Sequence, residues 1–273
     1  VGLAPDLACS LRALHVHRGL SPNADHWAGF CATLCADRGI PFSVERIDIA
    51  PFRALGVEGA ARQARYEAFQ RHSTDFLVLA QHRDDQVETV FLHLARGAGA
   101  RGLAGMAPVR PMARSEAKVL RPFLGVSRRA IEAHASSRGL RWVEDESNSS
   151  SAMRRNFLRA RVLPELESAF PEFRTAVVRS ARHLAEAGEL LDQLADADLV
   201  AILSDDALDI VGLFELGIAR ARNALRRWCE RCGAPWPGSA RLSEILRQAG
   251  RASPDAVLEV RVGEWSFRRY RGR

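Results

Sequence analysis

The sequence has no uninterrupted apolar run of about 18 residues, the length that a membrane-spanning helix needs. We therefore expect a cytoplasmic protein that makes no membrane contact. Cysteine is also scarce: the 273 residues include five cysteines, an odd number in a chain long enough to bury a sizeable core. A disulfide framework is not expected. Lysine is nearly absent, since only Lys118 stands among 39 basic residues, and we attribute this bias to genome composition.

Positive charge is concentrated near the C-terminal end. Residues 220–273 hold 13 arginines and five acidic residues, whereas the whole chain has a net charge of +6. This distribution favours a nucleic-acid partner, because attraction to phosphates depends on charge and salt rather than on base sequence. A solvated arginine-rich surface is the alternative. Cys229 and Cys232 form a CxxC pair in this region, which alone is weak support for a metal site.

Three strand-like segments alternate with helical patterns in the first half, which predicts βαβα units and a parallel sheet. The predicted strands cover residues 11–17, 42–49 and 76–80, and the helices begin near residues 24, 58 and 84. A fourth unit would contain a helix capped by Ser127 and a short edge segment at 141–143. The polar loop 144–152 indicates a boundary between domains 1–150 and 151–273. Beyond Pro171 the pattern is mostly helical, and it ends in a hairpin around residues 263 and 264.

The segment from Leu79 to Met106 is the most informative. An apolar strand ends in a polar cluster that opens an amphipathic helix, and its candidate site residues are His82, Asp84, Asp85, Gln86 and Glu88. Ligands of open α/β sheets bind beyond the carboxyl ends of the strands, where helix N-termini attract anions. Carboxylates there can hold Mg²⁺ against nucleotide phosphates. Helix capping explains one aspartate but not the whole cluster.

Two further patterns are compatible with phosphate binding. Residues 96–106 contain four glycines, whose backbone can approach a ligand closely, although many helix ends are glycine-rich. Arg62 and Arg65 are three residues apart on a predicted helix, so both guanidinium groups lie on one face. This pair is either a phosphate clamp or part of a solvated helix face.

Together these motifs resemble the tRNA(Ile)-lysidine synthetase family of PP-loop ATP pyrophosphatases. The family's HHxDDQxET motif is present at residues 81–89 and departs only at Gln81, whereas an HVNHGL-type segment at 15–20 departs at His17 and Arg18. The other matching segments are ARQARY (61–66), RGAGARGLAGM (96–106), Arg121-Pro122, Trp142 to Asn148 and RRNFLR (154–159). The resemblance covers residues 11–160 in order and is specific. It implies a Rossmann-like α/β sheet of the PP-loop ATPase type, followed by a mostly helical C-terminal domain.

One family motif is absent from the sequence. The SGGxDS phosphate loop, with the strand that carries it, occurs nowhere in these residues, and we expect it to lie before Val1. The alternative is a diverged, inactive relative. Without that strand, the parallel strands of the sheet would expose unpaired edges.

The resemblance implies an ATP-dependent ligation of free L-lysine to C2 of the wobble cytidine in the CAU-anticodon tRNA(Ile), through an adenylated tRNA. The implied catalytic residues are Asp84, Asp85, His82, Arg62 and Arg65, with Asp84 and Asp85 as ligands of Mg²⁺. The implied ATP contacts are His15, His82, Gln86, Glu88 and Arg101. The implied tRNA contacts are Arg155, Asn156, Arg159, Arg268 and Arg269. A homodimer is one expected assembly. Two other functions stay open, namely a non-catalytic tRNA-binding relative and another PP-loop tRNA-modifying enzyme such as a cytidine thiolase.

Overall fold

The computed structural model describes residues 9–113, 115–145, 154–204, 207–234, 238–251, 258–262 and 265–269. The first half contains β1 (Ala13–His17), α1 (Ala24–Ala36), β2 (Phe42–Arg46), a 3₁₀ helix (Ala50–Leu55), α2 (Gly56–Gln70), β3 (Phe76–Val78), α3 (Arg83–Leu94), α4 (Ala100–Leu103), β4 (Val109–Pro111), β5 (Lys118–Leu120) and α5 (Arg128–Ser137). The second half contains α6 (Arg154–Phe157), a π-helical turn (Leu158–Val162), α7 (Leu163–Ala169), α8 (Phe173–Ile202), β6 (Leu203–Ser204), β7 (Ala207–Leu208), α9 (Ile210–Glu215), α10 (Ile218–Arg231), α11 (Ser239–Arg251), β8 (Leu258–Val262) and β9 (Trp265–Arg269).

The chain forms two compact units. The first takes in the described residues of Val1–Gly97 and Gly105–Arg179, and the second takes in those of Ala98–Ala104 and Ser180–Arg273. Residues 154–179, which the sequence analysis assigned to the second domain, therefore belong to the first unit. The functional boundary between residues 150 and 151 stays a prediction.

The first unit has the predicted α/β architecture. β1 pairs with β2 in parallel, and β3 pairs with β5 in parallel in a second sheet of order β3-β5-β4. β3 is thus an edge strand, and its apolar side chains Phe76 and Val78 are exposed. The core between helix and sheets is a cluster of buried side chains supported by half-buried neighbours, namely Phe69, Met112, Ala117 and Val119 with Leu14, Val16, Tyr66, Leu77 and Leu79.

Two parts of the strand prediction were wrong. The sequence analysis missed β4 and β5, because three-residue strands are too short to show an alternating pattern. It also predicted a short edge segment at residues 141–143, where the structure has no strand and Trp142 is exposed.

Helix boundaries largely follow the predicted chemistry. Ser127 caps α5, since its Oγ accepts a hydrogen bond of 3.1 Å from the Ala130 N–H. Gly139, just beyond α5, has a φ of 61°, a left-handed conformation that glycine adopts without strain. Further along the chain, α9 and α10 are separate helices because Gly217 has a φ of 77° between them.

The second unit is mostly helical, as predicted. Its core is formed by buried side chains of α8 to α11 and the hairpin, namely Leu199, Ile202, Leu208, Leu213, Ala221, Ala224, Leu225, Leu242, Ile245, Leu246 and Val260. β8 and β9 pair in antiparallel register, which confirms the predicted hairpin, although its turn at 263–264 lies outside the described residues. None of the described helices is long and apolar enough to cross a membrane.

The side chain of Gln86 on α3 holds the end of the glycine-rich segment. Gln86 donates from Nε2 to the carbonyl of Met106 at 3.0 Å and accepts from the Met106 N–H at 2.7 Å. Gly105 precedes this contact with a φ of 70°, and a Cβ there would lie 2.8 Å from Oε1 of Gln86. Glycine is therefore required at 105 for both its backbone conformation and its lack of a side chain.

Replacing Gly105 by alanine is expected to lower the free energy of unfolding by about 1–3 kcal/mol, because the new methyl group meets Gln86 in a left-handed conformation. Gly99→Ala is the matched control: Gly99 lies in the same segment, has a φ of −79°, and its Cβ would meet nothing within 4 Å. Urea unfolding of both variants measures the difference. Equal stability of the two variants would contradict this account of Gly105.

Candidate functional site

The predicted polar cluster lies at the turn from β3 into α3. His82 directly precedes the helix, and its N–H donates a hydrogen bond of 3.0 Å to Oδ2 of Asp85. Asp85 therefore caps its own helix, which is the ordinary structural use of aspartate at this position. Its other oxygen, Oδ1, lies 3.9 Å from the guanidinium of Arg159 and accepts no hydrogen bond in the described part of the chain.

Both carboxylate oxygens of Asp84 have close partners. Its Oδ2 accepts a hydrogen bond of 2.8 Å from the Arg128 N–H at the start of α5, and its Oδ1 lies 2.9 Å from Nη1 of Arg174. Nδ1 of His82 lies 3.6 Å from Oδ2 of Asp84, and Nε2 lies 3.6 Å from Asp85. The imidazole thus lies against both carboxylates. The side chains of the two aspartates keep only 18% and 21% of their surface exposed.

A buried carboxylate lies one helical turn further along α3. Glu88 is 0% exposed, and its two oxygens accept hydrogen bonds of 2.7 and 3.1 Å from Arg159. Nε of Arg155 lies 3.4 Å from the same carboxylate, and Nη2 of Arg155 donates to Thr89 at 3.4 Å. The hydrogen bonds that Arg159 donates to Glu88 raise the pKa of Arg159, so that guanidinium stays charged. Glu88 thereby holds both arginines against α3.

The two arginines come from a distorted helical segment. Arg155 lies in α6 and Arg159 in the π-helical turn, and Asn156 between them is buried. π-helical turns within α-helices occur frequently at functional sites. The motif that the sequence analysis assigned to tRNA contact therefore lies against α3 in the same unit.

A cleft of about 1560 Å³ opens beside this cluster. Its walls come from the 3₁₀ helix, α2, α3, β4 and α6, and its arginines are Arg62, Arg96, Arg110, Arg121, Arg154 and Arg155. Two glutamates, Glu58 and Glu67, also line it. His82, Asp84 and Asp85 do not line the cleft, whereas Arg155, which lies 3.4 Å from Glu88, does. The excess of arginines over carboxylates suits an anionic ligand.

The remaining residues predicted for the first unit have separate environments. Arg62 lines the cleft, whereas Arg65 does not, although the two lie on one helix. Burial lowers the pKa of Arg65, and the nearby Arg18, Arg62 and Arg155 lower it further. Burial, followed by His17 and Arg18, also lowers the pKa of His15, which favours its neutral form.

The other predicted contacts lie in the second unit. Arg101 forms ion pairs with Asp192 and Glu230, and Arg268 lies 3.4 Å from Glu259 across the hairpin. Arg269 is in β9, and its side chain lies outside the described residues, as do Ser147 and Asn148 of the Trp142 to Asn148 motif. Roles for these residues stay predictions.

Sequence analysis did not identify Arg174, which contacts Asp84 from the start of α8. Nothing in the sequence marks it, because it lies far along the chain from the turn and outside every motif. His17, where the sequence departs from the family's HVNHGL-type segment, has a structural role. It is buried, and its Nε2 lies 3.3 Å from Asp25. Among the described residues, no group of three or more His, Cys, Asp or Glu side chains is arranged to hold a metal ion.

Comparisons with known proteins agree with this geometry. A family model described as "PP-loop domain" matches residues 3–166, which is more than half of the chain, and so defines the class of the first unit. A second model, described as "TilS substrate binding domain", matches residues 208–273. The chain therefore belongs to the tRNA(Ile)-lysidine synthase family of PP-loop proteins.

Curated relatives with the name tRNA(Ile)-lysidine synthase include proteins of Chromobacterium violaceum, 43% identical over 93% of this chain, and Nitrosomonas europaea, 41% identical over 95%. The chain spans 58% and 57% of their respective lengths. Among solved structures, the U34-tRNA thiolase NcsA from Methanococcus maripaludis with its [4Fe-4S] cluster superposes with a TM-score of 0.51 at 15% identity. That likeness covers 65% of this chain and 63% of the thiolase chain, and it concerns the fold alone.

Replacing Glu88 by glutamine is expected to lower the free energy of unfolding by about 3 kcal/mol, because Arg155 and Arg159 lose the buried charge that neutralises them. Glu132→Gln is the control, since Glu132 pairs with Arg128 on an exposed helix face and its loss should change little. Thermal and urea unfolding measure both. A similarly small effect of the two substitutions would show that Glu88 is not the anchor of this cluster.

The CxxC pair gives a second prediction. Burial, with the neighbouring Cys232, raises the pKa of Cys229 to about 11, whereas Cys232 is exposed. Iodoacetamide at pH 8 should therefore label Cys232 at least about 100-fold faster than Cys229, because only the thiolate reacts. In urea the two rates should converge. Equal rates in the folded protein would contradict the buried position of Cys229, and protection of both thiols would indicate a bound metal.

Proposed function

We propose that this chain carries the reaction centre of a tRNA(Ile)-lysidine synthase, which uses ATP to join free L-lysine to C2 of the wobble cytidine in the CAU-anticodon tRNA(Ile). The observation that carries the proposal is the charged cluster at α3: His82, Asp84 and Asp85 at its start, and the Arg155–Glu88–Arg159 arrangement one turn on. Sequence motifs separated by some 70 residues converge on one helix. The family membership of the chain supports the same function.

The proposed reaction has two steps. The carbonyl oxygen at C2 of the cytidine attacks the α-phosphorus of ATP, and pyrophosphate leaves. The ε-amine of lysine, after losing a proton, then attacks C2, and the bond from C2 to the adenylate oxygen breaks to release AMP. Adenylation is needed because an unactivated carbonyl oxygen is a poor leaving group, whereas AMP is a good one.

The two aspartates fit different parts of this chemistry. Both oxygens of Asp84 already have partners, Arg128 and Arg174, so its main effect is to fix the turn. Oδ1 of Asp85 is the oxygen with no hydrogen-bond donor in the described chain, and we assign it to the lysine ammonium, whose proton it would accept. His82, between the two carboxylates, would orient the reacting phosphate or base.

Mg²⁺ fits the turn only as an ion held mainly by phosphate oxygens and water. That arrangement is common for Mg²⁺, which often takes one or two carboxylate ligands from the protein. Asp85 can supply one oxygen, and Asp84 can do so only by giving up a partner. The ion would neutralise phosphate charge during adenylation. Arg62, Arg65 and His15 remain our candidates for contacts to ATP.

The second unit would hold the tRNA through its backbone. Arg268 and Arg269 in the hairpin, together with the arginines of α10, are proposed to contact phosphates, which position an RNA without specifying its sequence. We keep the functional division between residues 1–150 and 151–273. Arg155 and Arg159 lie on the second side of this division, but they contact α3 of the α/β unit. A homodimer stays a prediction.

The test is lysine transfer by the full-length protein with ATP, radiolabelled lysine and the cognate tRNA. Asp85→Asn is expected to lower the rate at least about 100-fold, because the amide cannot accept the proton, while tRNA affinity changes less than about threefold. Asp209→Asn is the matched control: Asp209 also caps a helix, α9 of the second unit, and asparagine caps equally well.

Different outcomes reject different parts of the proposal. If the wild-type protein transfers no lysine while folded and bound to tRNA, the reaction is wrong and a non-catalytic tRNA-binding function replaces it. If sulfur rather than lysine enters the tRNA, the protein is a thiolase. If Asp85→Asn lowers tRNA affinity as much as activity, the catalytic role of Asp85 is wrong.

A further inference from the structure

One wall of the cleft has a tyrosine surrounded by three arginines. The guanidinium carbons of Arg62 and Arg110 lie 5.4 and 5.1 Å from the centre of the Tyr66 ring. Nη2 of Arg121 donates to the Tyr66 hydroxyl at 3.5 Å. These residues come from α2, β4 and the end of β5, so the fold, rather than one helix face, brings them together. We call them the Tyr66 corner.

The positive charge of the Tyr66 corner has no counter-charge in the described part of the chain. No carboxylate there lies within 4.0 Å of Arg62, Arg110 or Arg121. The two glutamates of the cleft are directed elsewhere: Glu58 lies 3.9 Å from Arg155, and Glu67 accepts a hydrogen bond from Gln63 on its own helix. Uncompensated guanidinium groups in a half-enclosed cleft are energetically costly unless an anion joins them.

The direction of the pKa shift of Tyr66 indicates a positive local electrostatic potential. Burial raises the pKa of Tyr66, but Arg110, Arg62 and Arg121 outweigh burial and leave the pKa below its usual value. Burial also lowers the pKa of Arg121, and Arg110 and Arg62 lower it further. Both effects indicate a positive potential strong enough to act on a half-buried side chain.

The Tyr66 corner is also fixed in place before any ligand binds. Arg121 is 3% exposed, donates to the Ala107 carbonyl at 2.8 Å and donates to the side chain of Gln81. Tyr66 packs edge-on against Phe69, with ring centres 5.7 Å apart. A guanidinium that lies over an aromatic ring still presents its N–H edge to an oxyanion, in the fork geometry that matches phosphate.

We propose that the Tyr66 corner is a subsite that binds a backbone phosphate of an RNA segment lying in the cleft. The cleft volume of about 1560 Å³ exceeds the 300–1,000 Å³ or so of ordinary small-molecule pockets, which favours several nucleotides over a single one. The carboxylates assigned to the reacting groups do not line the cleft, so this phosphate is not the one that reacts. The subsite rests on the proposed function only in taking RNA as the ligand.

The experiment measures binding without catalysis. The full-length protein is titrated into a fluorescent RNA anticodon stem-loop at several salt concentrations, and ATP affinity is measured in parallel. Arg110→Gln is expected to weaken RNA binding about five- to tenfold and to reduce the slope of log Kd against log salt by about 1, the value for one phosphate contact. ATP affinity should not change.

Four further variants exclude indirect effects. Arg62→Gln alters an exposed side chain and should weaken RNA binding and reduce the salt slope as Arg110→Gln does. ATP affinity is compared only between the wild-type protein and Arg110→Gln, because Arg62 is also a candidate contact to ATP. Tyr66→Phe keeps the ring and should retain affinity, whereas Tyr66→Leu removes the surface that orients the guanidinium groups and should lose it. Arg138→Gln, on an exposed residue beyond α5, should change nothing.

Unchanged RNA affinity and salt slope in both arginine variants would overturn the subsite. A loss of ATP affinity instead of RNA affinity would also overturn it, because the anion would then belong to the nucleotide. Failure of the subsite can be distinguished from failure of the proposed function. If no lysine is transferred but Arg110→Gln still weakens RNA binding, the subsite stands and the reaction does not.

Discussion

The buried charge of Glu88 is the constraint on which the first unit depends. A carboxylate with no exposed surface is tolerated only when cations neutralise it and donors satisfy its oxygens. Here Arg159 does both, and Arg155 adds a second positive charge 3.4 Å away. These contacts fix the position on α3 of the segment that carries Arg155 and Arg159. That position in turn places one guanidinium beside Asp85 and another in the cleft. An apolar side chain at position 88 could fill the same space, but it could not direct Arg159 towards Asp85 and Arg155 towards the cleft.

Much of the fold follows from local sequence. The strand-to-helix alternation, the Ser127 cap, the glycine after α5 and the final hairpin all follow from short-range patterns that one segment determines by itself. β4 and β5 could not be found in this way. They are strands because their backbones pair with β3 and with each other, and that partnership is invisible in three residues of sequence.

The candidate site was predictable as a list of residues but not as a set of contacts. Family motifs identified His82, Asp84, Asp85 and Glu88, yet the sequence could not distinguish Asp84, whose two oxygens both have close donors, from Asp85, whose Oδ1 accepts no hydrogen bond in the described part of the chain. That difference depends on Arg128 and Arg174, which approach from elements far along the chain. Gln86 likewise holds the Met106 backbone, a structural task that resembles ligand binding when only the sequence is known.

The π-helical turn at Leu158–Val162 has a consequence for how this part of the chain can change in length. Such a turn contains one residue more than the α-helix it interrupts, so losing a single residue there would restore a regular helix. In a regular α-helix the loss of one residue rotates every later side chain by about 100° about the helix axis. Here the wider turn takes up the extra residue, so a deletion within it would leave Arg155 on one side and buried Leu163 on the other in nearly their present directions. This segment should therefore accept the loss of one residue where the regular helix α10 would not, and the side chain redirected by the loss would be Arg159, which lies in the turn.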